Sequence, residues 1–306
     1  MLDICLLGTG GTQPLMNRWL TSLMVRYAGR AVLIDCGEGT QIAAQRAGLS
    51  LKPIDKLLIT HLHADHISGL PGLLLSMGNA GRTEELSIVG PPGTERVVTA
   101  LRSIANNLPF EVRVSELDTD EELMDFRECD IRAFALQHRI TCYGYSISLP
   151  RAGKFDVERA RAAEVPMCLW RRLQRGESVE HEGRSFTPDM VMGPPRKGLK
   201  VTYCTDTRPT PAISRAAAES DLFICEGMYG DPEMLGKAKE KKHMLFTEAA
   251  QLAQDAGGVR ELWLTHYSPS MPNPKAWRDG ARVIFPATYT PRDGWTKCLT
   301  FEDEEG

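Results

Sequence analysis

The sequence predicts a layered α/β sandwich. Apolar, β-prone runs alternate with helical ones along its 306 residues, and β-rich stretches occur in both halves. Several of these strands end in a histidine or an aspartate, the usual position for site residues in α/β sheets.

The first strand is Leu2 to Leu7, ending in the Gly-rich turn Gly8-Thr9-Gly10-Gly11. That turn resembles a phosphate cradle only superficially, because it lacks G-x-G-x-x-G spacing and a clear helix behind it. Ser22 to Tyr27 and Ala31 to Asp35 flank Gly29-Arg30 as a hairpin. A helix follows over Thr40 to Ala47, then a short strand, Lys56 to Thr60, that runs into the first histidine. Gly69 to Met77 is a helix, Leu86 to Val89 a strand, and Thr94 to about Asn106 a helix. Further strands are expected at Phe110 to Val114, Asp130 to Leu136 and Tyr143 to Leu149.

Residues 150 to about 198 differ in composition: polar, rich in arginine and punctuated by Pro and Gly. They read as a basic, arm-like insertion in what is otherwise a single domain over residues 1–306. Strands Leu199 to Cys204 and Asp221 to Cys225, a helix at Thr247 to Ala256, and a last strand at Glu261 to Thr265 complete the reading.

The net charge of -4 argues against a generally basic nucleic-acid coat but leaves room for a local basic patch. Eight cysteines form no C-x-x-C pair, so a Cys-rich zinc knuckle is not expected. Without a signal-peptide pattern at the start, reduced thiols and a cytoplasmic location are expected. No apolar run approaches the roughly 20 residues that span a bilayer, so no membrane segment is expected. The acidic end Glu302 to Gly306 is expected to be unstructured.

The chemistry is concentrated in His61-Leu62-His63-Ala64-Asp65-His66. Three imidazoles and a carboxylate within six residues, between a strand and a helix, suit zinc, which takes nitrogen and oxygen ligands. Such packing fits a pair of metals about 3.5–4 Å apart better than a polar loop capping a helix. Only seven histidines are present, so distant partners are few. His138, Asp206 and His266 each follow a strand, and an aspartate can face one cation with each oxygen.

The H-x-H-x-D-H run, the later lone His138, Thr205-Asp206-Thr207 and Thr265-His266 together resemble the metallo-β-lactamase superfamily, whose fold is a four-layer αββα sandwich. Within it, the chain is similar to the ribonuclease Z family of tRNA 3′-processing endonucleases. The stretches that carry the likeness include Leu6 to Gly10, Ile34 to Gln41, Thr60 to Gly72, Gln137-His138, Tyr143 to Tyr145 and Cys204 to Arg208. The resemblance implies two Zn2+ ions per chain. His61, His63 and His138 would hold one ion; Asp65, His66 and His266 would hold the other; Asp206 would bridge them. Asp65 has a second role open to it, orienting the attacking water.

By the same resemblance Glu226 and His243 would supply the proton to the leaving oxygen, with a salt-bridging carboxylate and a solvated helix-start histidine as the plainer alternatives. Arg18 and Arg208 would touch substrate. Precursor tRNA is the implied partner and a homodimer the implied assembly.

The chain departs from the family pattern in three places. Cys225 replaces a histidine before Glu226, Met244-Leu245 replaces Ser-Thr after His243, and the P-x-K-x-R-N loop reads Pro14-Leu15-Met16-Asn17-Arg18-Trp19. Two other functions stay open at this point. One is hydrolysis of a small or cyclic nucleotide ester on the same fold. The other is a non-catalytic RNA-binding module, against which the intact ligand set argues. The same ligands would also accept manganese or iron.

Overall fold

The structure, a computed structural model, describes residues 1–302. The rest of the acidic end, residues 303–306, lies outside the described residues. Glu302 is held in a two-point ion pair with Arg260 at 2.5 and 2.8 Å, so the expectation of an unstructured end does not apply to it. The described chain forms two compact units, 1–148 with 199–302, and 149–198.

In the larger unit the chain begins with strands β1 (Leu2–Gly8), β2 (Ser22–Tyr27) and β3 (Arg30–Ile34), then helix α1 (Thr40–Arg46) and strand β4 (Ile54–Leu58). Helices α2 (Ala64–Ile67) and α3 (Leu70–Asn79), strand β5 (Leu86–Gly90), helix α4 (Thr94–Arg102) and strand β6 (Val112–Glu116) follow. Strands β7 (Glu121–Phe126), β8 (Cys129–Ala135) and β9 (Tyr143–Arg151) lead to the smaller unit. That unit carries α5 (Val157–Ala162), α6 (Trp170–Gln174) and the hairpin β10 (Val179–His181) and β11 (Arg184–Phe186). After it come β12 (Arg196–Cys204), α7 (Pro211–Ala217), β13 (Leu222–Glu226), α8 (Leu235–Lys241) and α9 (Phe246–Ala256). The chain closes with β14 (Leu262–Thr265), α10 (Arg278–Ile284), β15 (Thr288–Tyr289) and β16 (Trp295–Leu299).

Two seven-stranded sheets result, in the orders β16-β1-β2-β3-β4-β5-β6 and β15-β14-β13-β12-β9-β8-β7. Each is covered by its own helices. Leu33, Leu57 and Ile88 of the first sheet pack with Ala43, Leu73, Leu74 and Val98 from α1, α3 and α4. Phe223, Cys225 and Leu264 of the second pack with Ile213, Ala249, Ala253 and Ala281 from α7, α9 and α10. This is the αββα sandwich, with apolar sheet faces buried on both sides. Between the sheets Thr21 Oγ1 lies 3.2 Å from both the Tyr203 hydroxyl and Thr265 Oγ1, and the Tyr145 hydroxyl donates to the Ile59 carbonyl at 2.7 Å. Buried polar groups thus find partners near the end of the sandwich where the site lies.

Strands β12, β13 and β14 are parallel and in register, Cys204 beside Cys225 and Glu226 beside Thr265. Their C-terminal ends therefore finish at one level. Parallel pairing of β3 with β4, Ile34 beside Leu58, does the same on the first sheet.

The smaller unit has more structure than a polar arm was expected to have. Its helices and hairpin bury Ala160, Leu169, Leu173, Phe186 and Val191 in a small core of their own.

Candidate metal centre

The strand ends deliver the predicted side chains to one place. Two residues past β4, Thr60 leads into His61; His63 is the N-cap of α2, extended at φ -71°, ψ 149°, and the helix presents Asp65 and His66. His138 lies three residues past β8, Asp206 two past β12, and His266 directly after β14.

Asp206 stands at the centre. Its Oδ2 is 3.6 Å from His61 Nε2 and 3.8 Å from His138 Nε2. Its Oδ1 is 3.3 Å from His66 Nε2 and 3.0 Å from His266 Nε2. On the first side, His63 Nδ1 approaches His61 Nε2 at 2.9 Å and His138 Nε2 at 3.3 Å. On the second, Asp65 Oδ2 is 3.6 Å from His66 Nε2 and 3.4 Å from His266 Nε2. Ligand atoms of His61, His63, His138 and Asp206 lie within 4.8 Å of one another, as do those of Asp65, His66 and His266. All seven predicted residues are thus brought together, in two groups that share one carboxylate.

The outward nitrogens are fastened in turn. His61 Nδ1 meets Thr60 Oγ1 at 3.0 Å, and His138 Nδ1 meets the Lys242 carbonyl at 3.2 Å. His66 Nδ1 meets Asp35 Oδ2 at 2.7 Å, and Asp35 also accepts from the Thr60 amide at 2.8 Å. Such outer contacts fix ring orientation in metal sites. Sequence reasoning missed Asp35; its signal was a carboxylate directly after an apolar strand and before Cys36-Gly37. His266 Nδ1 is buried with no hydrogen-bond partner among the described residues, and its ring is positioned by packing. A Cβ at Gly11 would lie 2.6–2.8 Å from three atoms of that ring, so only glycine fits there.

The Gly-rich turn therefore seats His266. It also holds Asp65, whose Oδ2 accepts the Thr12 amide at 2.7 Å. Asp35, Asp206 and His266 all have positive φ, 61°, 39° and 57°. Backbone strain of this kind persists where surrounding structure over-determines it, as at functional sites.

Protonation states suit a cation. Burial is the largest influence on His61, His63 and His138, and it lowers all three, leaving neutral imidazoles. Burial would raise Asp206 and Asp65, but neighbouring histidines hold both below the ordinary carboxylate value. Burial would lower His66, yet Asp35, Asp206 and Asp65 push it well above its ordinary value, so a cation must displace a proton there. Neutral imidazole and ionised carboxylate are the forms that ligate divalent metals.

A cavity of about 490 Å³ opens over this centre. His63, Asp65, His138, Asp206 and His266 line it, with His243, Tyr229 and the cationic Arg139, Lys237 and Lys241. His243 lines the wall with Nε2 3.9 Å from Asp206 Oδ2. Its Nδ1 lies 3.2 Å from Glu226 Oε1. Burial would lower the His243 pKa, but Glu226, with Asp206 and Asp65, pushes it up to about 9.

Three of the predicted catalytic and substrate-binding residues do not line the cavity. Glu226 is fully buried and does not line the cavity. Its oxygens accept the Thr207 amide at 2.6 Å and the Met244 amide at 3.2 Å, and its contact with a cavity-lining side chain is the one to His243. Arg18 was expected at the substrate, but its guanidinium donates to the carbonyls of Ser268, Met271 and Pro272. Arg208 likewise donates to the His243 carbonyl and pairs with both oxygens of Glu248. Both arginines shape the site's loops.

Two of the three departures have a physical account. Cys225 and Met244 touch, sulfur to sulfur at 3.7 Å, within the core behind the second sheet. Leu245 offers no cap oxygen to α9; Glu248 accepts its amide at 2.9 Å, and its side chain packs with Met228 and Ala238.

A family profile described as anti-Pycsar protein Apyc1 matches residues 2–149. Full-length relatives decide more. A ribonuclease Z of Lachnospira eligens is 58% identical over 304 residues, 99% of this chain and 100% of the relative. One of Clostridium acetobutylicum is 47% identical over 309 residues, with 99% and 100% covered. This chain belongs to the ribonuclease Z family. The solved structure of human tRNase Z, short form, shares its fold, with a TM-score of 0.71 at 24% identity over 98% of this chain and 100% of that one. As a ribonuclease Z, the chain is a metal-dependent hydrolase, and the His and Asp groups fit a divalent metal site. No helix among the described residues is long and apolar enough to cross a membrane.

Proposed function

We propose that this ribonuclease Z removes the 3′ trailer from precursor tRNA by hydrolysing one phosphodiester at a pair of zinc ions. His61, His63 and His138 would hold one ion, Asp65, His66 and His266 the other, with Asp206 between them. When bound, such a pair activates the attacking water and offsets charge building on the phosphoryl oxygens. The observation that carries the reading is the division of Asp206, one oxygen toward each group of imidazoles. The full-length ribonuclease Z relatives supply the substrate class.

The chain's own groups do the rest. His243, protonated at neutral pH, donates a proton from Nε2 to the departing 3′ oxygen. Glu226 keeps its ring in place and holds Nδ1. Asp65, fixed by the Thr12 amide, orients the attacking water. Arg139, Lys237 and Lys241 attract the phosphate backbone to the cavity mouth. Residues 149–198 serve as the RNA-gripping arm, with the exposed Arg171 and Arg175 pairing with phosphates. A homodimer in the cytoplasm is the proposed working form; eight unpaired cysteines agree with a reducing compartment.

Incubation of metal-loaded protein with a trailer-extended tRNA, with the cut mapped, tests this. A single cut leaving a tRNA 3′-hydroxyl is expected. Hydrolysis of bis-p-nitrophenyl phosphate without RNA cleavage would point to a small-ester enzyme instead.

A further inference from the structure

Past Tyr229 the metal cavity borders a second one, of about 350 Å³, with Tyr229 and Ser270 common to both. Its walls are mainly aromatic and apolar: Trp277, Tyr229, Met234 and Met271, with Asn273 and Asp231 as polar groups. Trp277 is 39% exposed. Its ring lies on Gly230, where any side chain would overlap Trp277 Cβ and Cγ. Arg18 ties the 268–272 segment, the opposite wall, through three carbonyls. One wall of the cavity is thus tied in place, and neither the predicted metal ligands nor His243 lines it.

A polynucleotide lying across the metal centre must place flanking bases somewhere close. A rigid aromatic face accepts any base, since every base has a π-face. The side of the cut is set by His243. On the reading of function above, His243 protonates the leaving 3′ oxygen, and its ring centroid is 6.5 Å from that of Tyr229. The nucleotide that owns that oxygen sits against His243, and the aromatic wall leading on from His243 is Tyr229, which lines both cavities. We propose that the Trp277–Tyr229 cavity is a stacking site for the unpaired base immediately 5′ of the scissile phosphate.

Three precursor tRNAs separate the outcomes: intact, abasic at the nucleotide 5′ of the cut, and abasic at the nucleotide 3′ of it. Wild-type enzyme should lose on the order of tenfold in kcat/KM on the 5′-abasic precursor and little on the 3′-abasic one. Trp277→Ala should lose a similar factor on the intact precursor, show no further loss on the 5′-abasic one, and be largely rescued by Trp277→Phe. Equal turnover of intact and 5′-abasic precursors by wild-type enzyme overturns the proposal, as does a loss confined to the 3′-abasic precursor. The wild-type comparison needs no variant to fold. Cleavage of the intact precursor checks the function itself, and its failure overturns both readings.

Discussion

Asp206 gives each of its oxygens a different set of imidazoles, and most of the site's chemistry follows from that placement. Asp206→Ala should abolish hydrolysis and strip cation from the protein, read by metal analysis after dialysis; full activity would defeat the assignment. Asp35 acts one layer out, through His66 Nδ1. Asp35→Asn should weaken cation affinity by about 10–100-fold without removing any ligand. His243 should behave differently: His243→Ala lowers kcat by about 10²–10⁴-fold and leaves bound metal unchanged. The pH profile carries a sign. A proton donor works only while protonated, so activity falls as pH rises through its pKa, near 9 with Glu226 beside it. Glu226→Gln removes an interaction that raises this pKa, so the alkaline limb of kcat should move to lower pH, by about one to three units. An unmoved limb would show that Glu226 does not act through His243.

The parallel register of β12, β13 and β14 brings Asp206, Glu226 and His266 to one level. This was legible in the sequence, because each of these strands is a short apolar run ending at a polar residue. Nothing was expected past Thr265, so α10, β15 and β16 were missed, while β7 and the smaller unit's elements were missed because charge hides their pattern. Strand β7, Glu121–Phe126, is acidic and mostly exposed on one face, an edge strand whose pairing with β8 supplies what its composition does not. In the smaller unit, many charges hid the few apolar residues that pack together. Helix α4 stops at Arg102, short of the expected Asn106. The roles of Arg18 and Arg208 were not legible either, since a guanidinium's partners depend on which loop carbonyls the fold brings near. One turn makes a sharp prediction. Gly11→Ala should displace the His266 ring and lower the bound metal, read by metal analysis of the purified variant.

The molecule as a whole is slightly acidic, yet Arg139, Lys237 and Lys241 line the cavity and residues 149–198 carry more Lys and Arg than Asp and Glu. Substrate affinity should therefore weaken with salt, because pairing with phosphates releases counterions. Replacing Arg171 and Arg175 together by Ala should reduce the slope of log KM against log salt by about one unit for each phosphate no longer neutralised, with bis-p-nitrophenyl phosphate turnover unchanged. Function here depends on two sheets ending at the same place, so that side chains from positions 61 to 266 share one centre. Anomalous diffraction at the zinc edge, from crystals grown with zinc, measures that directly. Two peaks about 3.5–4 Å apart, one on each side of the Asp206 carboxylate, are predicted. A single peak, or a second one away from Asp65, His66 and His266, would contradict the account.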